Sequence, residues 1–319
     1  MRFNYIFVLL FFATVHSIGQ TLDPHQIYLA DPTIFEDNGT YYLYGTKGDP
    51  NIHGEGFLVY TSKDLRNWEG PLGAKDGFAL KNGDAFGDRG FWAPQIFKYR
   101  SKYYMAYTAN EHIAIATSNS PLGPFTNNMN ALDAPVKQID PFVFFDKGKA
   151  YLYHVRLQGG NRIFVAEMNA DLESTKPGTL RECVSAEKDW ENTENAEWPV
   201  TEGPTVFKKD GIYYLLYSAN DFRNPDYAVG YATSENPLGP WRKAPGNPVI
   251  SRDKIGYSGT GHGDLFYDTN GEMMYVLHTH FSEDKVSPRK TGMIKLRLKD
   301  GEIECAPSNL KWLSKHASK

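Results

Sequence analysis

Three carboxylic acids and one histidine each stand just before a short apolar sequence that recurs along this chain. Asp31 precedes Pro-Thr-Ile-Phe, Asp140 precedes Pro-Phe-Val-Phe, and Glu202 precedes Gly-Pro-Thr-Val-Phe. His262 precedes Gly-Asp-Leu-Phe in the same way. A protonated and an ionised carboxyl group on either side of a glycosidic bond can hydrolyse it, and a third carboxylate raises the pKa of the acid. The four residues form the first candidate site.

This chemistry requires the side chains to lie close together. An internal repeat in the sequence indicates a fold that could bring these distant residues together. The apolar sequence ends in a phenylalanine at positions 35, 97, 144, 207 and 266, which are 47 to 63 residues apart. A turn follows each, such as Asp-Asn-Gly at 37–39, and then an aromatic-rich strand such as 41–44. Units of this length hold about four strands, the size of one propeller blade. The sequence predicts an all-β fold, a five-bladed β-propeller with blades of about four antiparallel strands.

The first strand of each propeller blade lines the central channel, so equivalent positions lie at the same height. The positions four residues before the shared phenylalanine are Asp31, Ala93, Asp140, Gly203 and His262, and Glu202 comes one residue earlier. An Asp-Pro pair can also be a simple turn or capping dipeptide. That alternative predicts similar residues in every copy, whereas here the charges differ while the apolar positions repeat. We therefore expect blades one, three and four to deliver their acids to one pocket.

Composition limits the partners of such a pocket. The net charge is -4, which disfavours nucleic acid and anionic membrane surfaces as partners. Aromatic residues make up 14% of the chain, and their rings can stack on sugars. We expect a neutral oligosaccharide or polysaccharide as the substrate, and no nucleic acid.

The N-terminus is typical of an export signal. A single arginine precedes a mostly apolar stretch, and Ser17 and Gly19 offer cleavage points. We predict a signal peptide over 1–19, a single propeller domain over 20–319, no membrane span, and a secreted or periplasmic protein. A buried N-terminal strand is the alternative. Export would permit a disulfide between Cys183 and Cys305, and two unpaired thiols are the other possibility.

The residues that open the blades resemble glycoside hydrolase family 43, the inverting five-bladed propeller enzymes, over roughly 27–300. The carriers are Ala30-Asp31-Pro32, Trp92-Ala93-Pro94, Ile139-Asp140-Pro141 and Thr201-Glu202-Gly203-Pro204. The resemblance implies that Asp31 is the general base, that Glu202 is the general acid, and that Asp140 raises the pKa of Glu202 and orients it. His262 matches the axial histidine of the family. It implies a channel calcium or sodium ion, bound directly or through water, although a hydrogen-bonded histidine without metal is the alternative. No organic cofactor is expected.

Three further residues are candidates for substrate binding. Arg289 lies where family members often place a substrate-binding arginine, and a surface charge is the alternative. Trp92 and Phe91 could stack on a sugar face or pack between blades. The 181–200 loop, which carries Trp190 and Trp198, is expected at the rim on the side of the acid.

The resemblance implies an exo-acting inverting hydrolase that releases a terminal pentofuranose, most plausibly α-L-arabinofuranose, from plant polysaccharide. β-Xylosidase, galactofuranosidase and endo-arabinanase activities occur on similar scaffolds. Retaining fructoside-cleaving relatives carry Arg-Asp-Pro and Glu-Cys where this chain has Ile139-Asp140-Pro141 and Glu202-Gly203. A non-catalytic sugar-binding propeller would not need all three acids.

Overall fold

The computed structural model describes residues 22–47, 54–306 and 310–315, and strands provide most of its regular structure. The first blade contains β1 (Leu29–Asp37), β2 (Thr40–Lys47), β4 (Tyr60–Ser62) and β5 (Trp68–Glu69), while β3 (Gly56–Leu58) and β6 (Phe78–Lys81) form a separate ribbon. The second contains β7 (Trp92–Tyr99), β8 (Lys102–Ala109) and β9 (His112–Ser118). The third contains β10 (Gln138–Asp146), β11 (Lys149–Leu157), β12 (Asn161–Glu167) and β13 (Arg181–Val184).

The last two blades follow the same order. The fourth contains β14 (Thr201–Lys209), β15 (Ile212–Ala219), β16 (Ala228–Ser234) and β17 (Arg242–Lys243). The fifth contains β18 (Gly261–Tyr267), β19 (Met273–Thr279), β20 (Lys290–Lys299) and β21 (Glu302–Cys305), with β22 (Lys311–Trp312) also paired to β20. One short helix, α1 (Arg252–Ile255), and a 3₁₀ turn at Asp189–Glu191 complete the regular structure of the described ranges.

The blades are arranged in a ring, which confirms the predicted five-bladed all-β architecture. Within each blade the strands pair antiparallel in chain order, and the first strands contact one another around the axis. Blade two has three strands instead of four, because its outer edge is reduced to a single bridge between Thr117 and Thr126. Large apolar side chains such as Tyr44, Phe57 and Tyr107 are fully buried between blades. Burying one such side chain stabilises the fold by roughly 1.5–3 kcal/mol.

Both ends of the described chain close the ring at blade five. The backbone N–H of Ile27 donates to the carbonyl of Leu313 (2.9 Å), and the N–H of Leu313 donates to Thr291 in β20 (3.0 Å). The N–H of Thr291 in turn donates to Ile27 (3.2 Å). Residues 26–29 therefore join blade five to blade one and complete the ring of blades.

A bulge interrupts the first strand of every blade at the predicted height. The shared phenylalanine keeps one partner position throughout, as in Phe35 opposite Tyr42 and Phe207 opposite Tyr214. The pairing register shifts by one residue just before it. The bulged residues all have positive φ: Asp31 (47°), Ala93 (46°), Asp140 (54°), Gly203 (60°) and His262 (35°). A left-handed backbone costs a non-glycine residue about 1–2 kcal/mol, so backbone strain is concentrated at the candidate site.

Three remaining predictions concern the ends and the cysteines. The predicted signal peptide, 1–19, lies outside the described residues. No helix among the described residues is long and apolar enough to cross a membrane. Cys183 and Cys305 are both free thiols, so the unpaired alternative holds in this structure.

Candidate active site

The bulged ends of the inner strands surround a pocket of about 190 Å³. Its walls include six of the seven predicted site residues, which are Asp31, Trp92, Asp140, Glu202, His262 and Arg289. The three acids come from β1, β10 and β14, the first strands of blades one, three and four. The structure therefore places them together, as the repeat predicted.

Hydrogen bonds between neighbouring blades hold the bulges in place. In four of the five blades, a side chain on the second strand accepts the N–H of the bulged residue in the next blade. The pairs are Thr46 with Ala93 (3.0 Å), Thr108 with Asp140 (2.9 Å), Ser218 with His262 (2.8 Å) and His278 with Asp31 (3.1 Å). These bonds satisfy buried N–H groups that would otherwise cost about 1–3 kcal/mol each.

Blade three departs from this arrangement. Its equivalent second-strand residue is Val155, which has no hydroxyl group and pairs with Ile139 just before the bulge. The N–H of Gly203 donates instead to the Asp140 carboxylate (3.2 Å). Asp140 therefore fixes the backbone directly after Glu202, which is a physical basis for the predicted orienting role.

Asp31 lies among groups that favour its ionised form. The Thr46 hydroxyl donates to Oδ2 (2.6 Å), Arg289 donates to Oδ1 (3.2 Å), and the Nδ1 atom of His262 is 3.4 Å from Oδ1. Burial alone would raise the pKa of Asp31, but the charge of Arg289, the two neighbouring histidines and the Thr46 hydrogen bond together lower it below the ordinary value. An ionised carboxylate in a buried pocket is suited to accept a proton.

Glu202 has the opposite electrostatic environment. Burial and the negative charge of Asp31 together raise its pKa to about 7, even though two hydrogen-bond donors act in the opposite direction. The donors are the Tyr227 hydroxyl to Oε1 (2.8 Å) and the Asn161 amide to Oε2 (2.9 Å). Below neutral pH the Glu202 carboxyl group is protonated and can donate.

Asp140 is the third buried carboxyl group of the pocket, and it interacts electrostatically with Glu202. Burial and the charges of Glu202 and Asp31 raise the pKa of Asp140 well above its usual range, while the Gly203 N–H and Arg289 lower it. Two buried carboxyl groups in one pocket cannot both ionise readily. The pKa of Asp31 is lowered, whereas the pKa values of Asp140 and Glu202 are raised. One pocket can therefore hold an ionised carboxylate suited to act as a base and a protonated carboxyl group suited to act as an acid.

Arg289 is part of the pocket and not a surface charge. Its side chain is buried, its guanidinium lies 4.6 Å from the centre of the Phe222 ring, and it contacts Asp31. In the structure the Arg289 guanidinium therefore contacts the predicted base, Asp31, and also lies 3.2 Å from Nε2 of His278. Because it also lines the pocket, a bound sugar could contact it too.

The two aromatic candidates lie in different surroundings. Phe91 follows the alternative of packing between blades and does not line the pocket. Phe91 is only 3% exposed, and it stacks on Tyr107 and meets the edge of Phe57 in the core between blades. Trp92 is partly buried and lies on the pocket wall. Phe91 lies just before β7 and packs between blades one and two, so Trp92 is the one of the two adjacent rings that lines the pocket.

His262 lies in the channel, where an ion was expected. Its Nδ1 atom is 3.4 Å from Oδ1 of Asp31 and 3.8 Å from Oδ2 of Asp140. The channel next to it contains a cavity of about 30 Å³. The described residues contain no group of three or more His, Cys, Asp or Glu side chains that could hold a metal. An ion beside His262 would therefore have to take most of its ligands from ordered water, which hard cations accept.

Asn161, Tyr227 and His278 are among the site residues that sequence reasoning missed. His278 could have been found by extending the repeat to the second strand, where it aligns with Thr46, Thr108 and Ser218. Asn161 and Tyr227 precede or open the third strands of their blades, where the repeat is weakest. Nothing in the sequence pattern marks these two.

A propeller pocket that holds one buried carboxyl group of lowered pKa and another of raised pKa is suited to glycoside hydrolysis. A sequence profile described as "Glycosyl hydrolases family 43" matches residues 25–303. The chain belongs to this family of inverting glycoside hydrolases.

Known proteins of several activities are similar to this chain. The crystal structure of an endo-1,4-β-xylanase from Bacteroides thetaiotaomicron is 39% identical and has a TM-score of 0.83, with 92% of this chain and 98% of that chain covered. A xylosidase/arabinosidase of Butyrivibrio fibrisolvens is 28% identical over 85% of this chain, which spans only 53% of that protein. A β-D-galactofuranosidase of Aspergillus niger is 24% identical over 88% of this chain and 82% of its own length.

Proposed function

We propose that the protein is an exo-acting inverting hydrolase that removes a terminal pentofuranose, α-L-arabinofuranose, from plant polysaccharide. The observation that carries this proposal is the small pocket between Asp31 and Glu202. Its volume of about 190 Å³ is below the roughly 300–1,000 Å³ of pockets that hold drug-sized ligands. A pocket of this size suits one sugar ring better than a run of several. Similarity to a xylosidase/arabinosidase supports a pentose.

In the proposed mechanism a water molecule attacks the anomeric carbon from the side of Asp31. Asp31 takes a proton from this water as the new carbon–oxygen bond forms. Glu202 gives its proton to the glycosidic oxygen as the old bond breaks, so the leaving sugar departs with a hydroxyl group. Asp31 ends protonated and Glu202 ionised, and proton exchange with solvent restores both.

The other polar residues support this exchange. In this proposal Asp140 favours the protonated form of Glu202, because the repulsion between the two carboxylates acts on both of them, and its carboxylate accepts the N–H of Gly203. Arg289 keeps Asp31 ionised and is positioned to bind a sugar hydroxyl. Trp92 offers a ring face on the pocket wall.

The experiment is product analysis on arabinan, xylan and galactan oligosaccharides, with NMR of the first anomer released. We expect single arabinose units with inverted configuration. Asp31→Ala and Glu202→Ala should each lower kcat/KM by about 100-fold or more while the protein remains folded. Asp37→Ala, which removes an outer carboxylate bonded to Lys98 and Tyr103, is the control and should retain activity.

Other products would favour other members of the family. Release of xylose would indicate a β-xylosidase, and release of galactofuranose a galactofuranosidase. Internal cleavage of arabinan would indicate an endo-arabinanase. A first product of retained configuration would contradict the assignment of Asp31 as base.

A calcium or sodium ion beside His262 belongs to the same proposal, with His262 as a direct or water-mediated ligand. When bound, such an ion would supply positive charge at the base of the pocket. Elemental analysis of the purified protein should find about one ion per chain. A metal-free protein with full activity and an unchanged melting temperature would contradict this.

We also propose that residues 1–19 are removed on export and that the mature protein is secreted or periplasmic. Names of two similar arabinan-degrading proteins include the word extracellular. N-terminal sequencing of protein recovered outside the cytoplasm should begin close to residue 20. A mature protein that retains its first 19 residues would contradict the proposal.

A further inference from the structure

On the side of the acid lies a tryptophan that is about half exposed to solvent. Trp198 is 49% exposed, whereas the other five tryptophans, all within the described ranges, are buried or partly buried. Its indole N–H donates to Oδ1 of Asn161 (2.9 Å). One edge of the ring is therefore held by a hydrogen bond while a large apolar area remains uncovered.

Asn161 connects this ring to the acid. An indole N–H can only donate, so the Asn161 carbonyl oxygen must face it, and the amide nitrogen is left to face Glu202. That nitrogen donates to Oε2 of Glu202 (2.9 Å). The order of donors and acceptors from Trp198 to Glu202 thus permits only one orientation of the amide.

The segment that carries Trp198 is held to the same strand by its backbone. The N–H of Asn161 donates to the carbonyl of Pro199 (2.9 Å), and the hydroxyl of Thr201 donates to the carbonyl of Asn161 (3.1 Å). Residues 161 and 200 also form a parallel bridge. The exposed ring therefore keeps a defined position relative to Glu202.

The position of the ring indicates what it would bind. Asn161 lines the pocket, whereas Trp198 does not, so the indole lies outside the enclosed volume on the side of the acid. A general acid protonates the glycosidic oxygen, and the leaving group lies beyond that oxygen. We infer that Trp198 is a stacking platform for the leaving-group sugar, a neutral ring with an apolar C–H face, and that Asn161 holds this platform in register with Glu202. This inference rests on the proposed function.

The test compares two substrates that share the sugar to be released. One is α-1,5-linked arabinotriose, and the other is methyl α-L-arabinofuranoside, whose leaving group has no ring. Trp198→Ala should lower kcat/KM about fivefold to tenfold for arabinotriose and less than about twofold for the methyl glycoside. Trp198→Phe keeps a ring and should recover most of the loss. Tyr267→Ala removes another exposed aromatic side chain (47% exposed) and should change neither rate.

Equal losses on both substrates would overturn the inference, because they would show that Trp198 acts only through the acid. Unchanged rates on both would overturn it as well. If the wild type releases a different pentose, the corresponding trisaccharide and methyl glycoside are used. If it hydrolyses no glycoside, the proposed function fails. The platform is then tested by calorimetry, which measures the affinity of the wild type and of the Trp198→Ala and Tyr267→Ala proteins for arabinotriose and xylotriose. A weakening of about fivefold only in Trp198→Ala would support the platform, and equal affinities would refute it.

Discussion

Tyr227→Phe removes one hydroxyl group next to Glu202 and leaves the buried ring in place. That hydroxyl donates to Oε1 of Glu202 at 2.8 Å. A hydrogen bond to an ionised group contributes roughly 1.5–3 kcal/mol, and one pKa unit corresponds to about 1.36 kcal/mol. The donor favours the ionised carboxylate, so its loss favours the protonated form. The pKa of Glu202, which burial and the charge of Asp31 raise to about 7, should therefore rise by roughly 1–2 further units.

The assay is the pH dependence of kcat/KM on an arabinofuranoside from about pH 5 to about pH 10. Activity requires protonated Glu202, so the alkaline limb should move upward by at least about one unit. The rate on the plateau should fall several-fold, because a weaker acid transfers its proton less readily.

Tyr217→Phe is the matched control. Its hydroxyl donates to Oε1 of Glu191 at 2.6 Å, and this carboxylate is fully buried but outside the pocket. Both variants should lose comparable stability, but only Tyr227→Phe should move the alkaline limb. An unmoved limb in Tyr227→Phe, or the same shift in both variants, would refute the assignment of Glu202 as the acid.

Three further predictions follow from the same contacts. Asp140→Asn removes the second titrating carboxyl group beside Glu202, so the last proton of the pair is held less tightly and the alkaline limb should move downward by about one unit, opposite in sign to Tyr227→Phe; an unchanged profile would exclude Asp140 from its proposed role. Thr108→Val leaves the Asp140 N–H without its acceptor and should lower the unfolding free energy in urea by about 1–3 kcal/mol, whereas a loss under about 0.5 kcal/mol would contradict the ring of inter-blade bonds. Gly203→Ala would place a Cβ 2.7 Å from the His262 ring at a φ of 60°. It should lower both the melting temperature and kcat/KM, and wild-type values would contradict the described bulge.

The shared phenylalanines were enough to predict the blades and the common height of the acids. A first strand that is buried on both faces repeats its apolar residues in every blade, and Phe35 and Phe207 do occupy equivalent pairs. The positions of Asp31 and Asp140 followed by counting back from this landmark. The bulge itself was not predicted, because a single extra residue leaves no trace in an apolar pattern.

The partners of each acid depended on the tertiary structure. Asn161 opens β12 and Tyr227 precedes β16, so they reach Glu202 from positions 41 and 25 residues away in the chain, and no periodicity relates these positions. Phe91 and Trp92 are adjacent and chemically similar, yet the neighbouring blade covers one and leaves the other on the pocket wall. Sequence alone determined which residues repeat, because repetition is local and each blade needs the same apolar faces. The tertiary structure decided which side chains are neighbours and which pKa values separate, because both depend on distances between blades that are far apart in the chain.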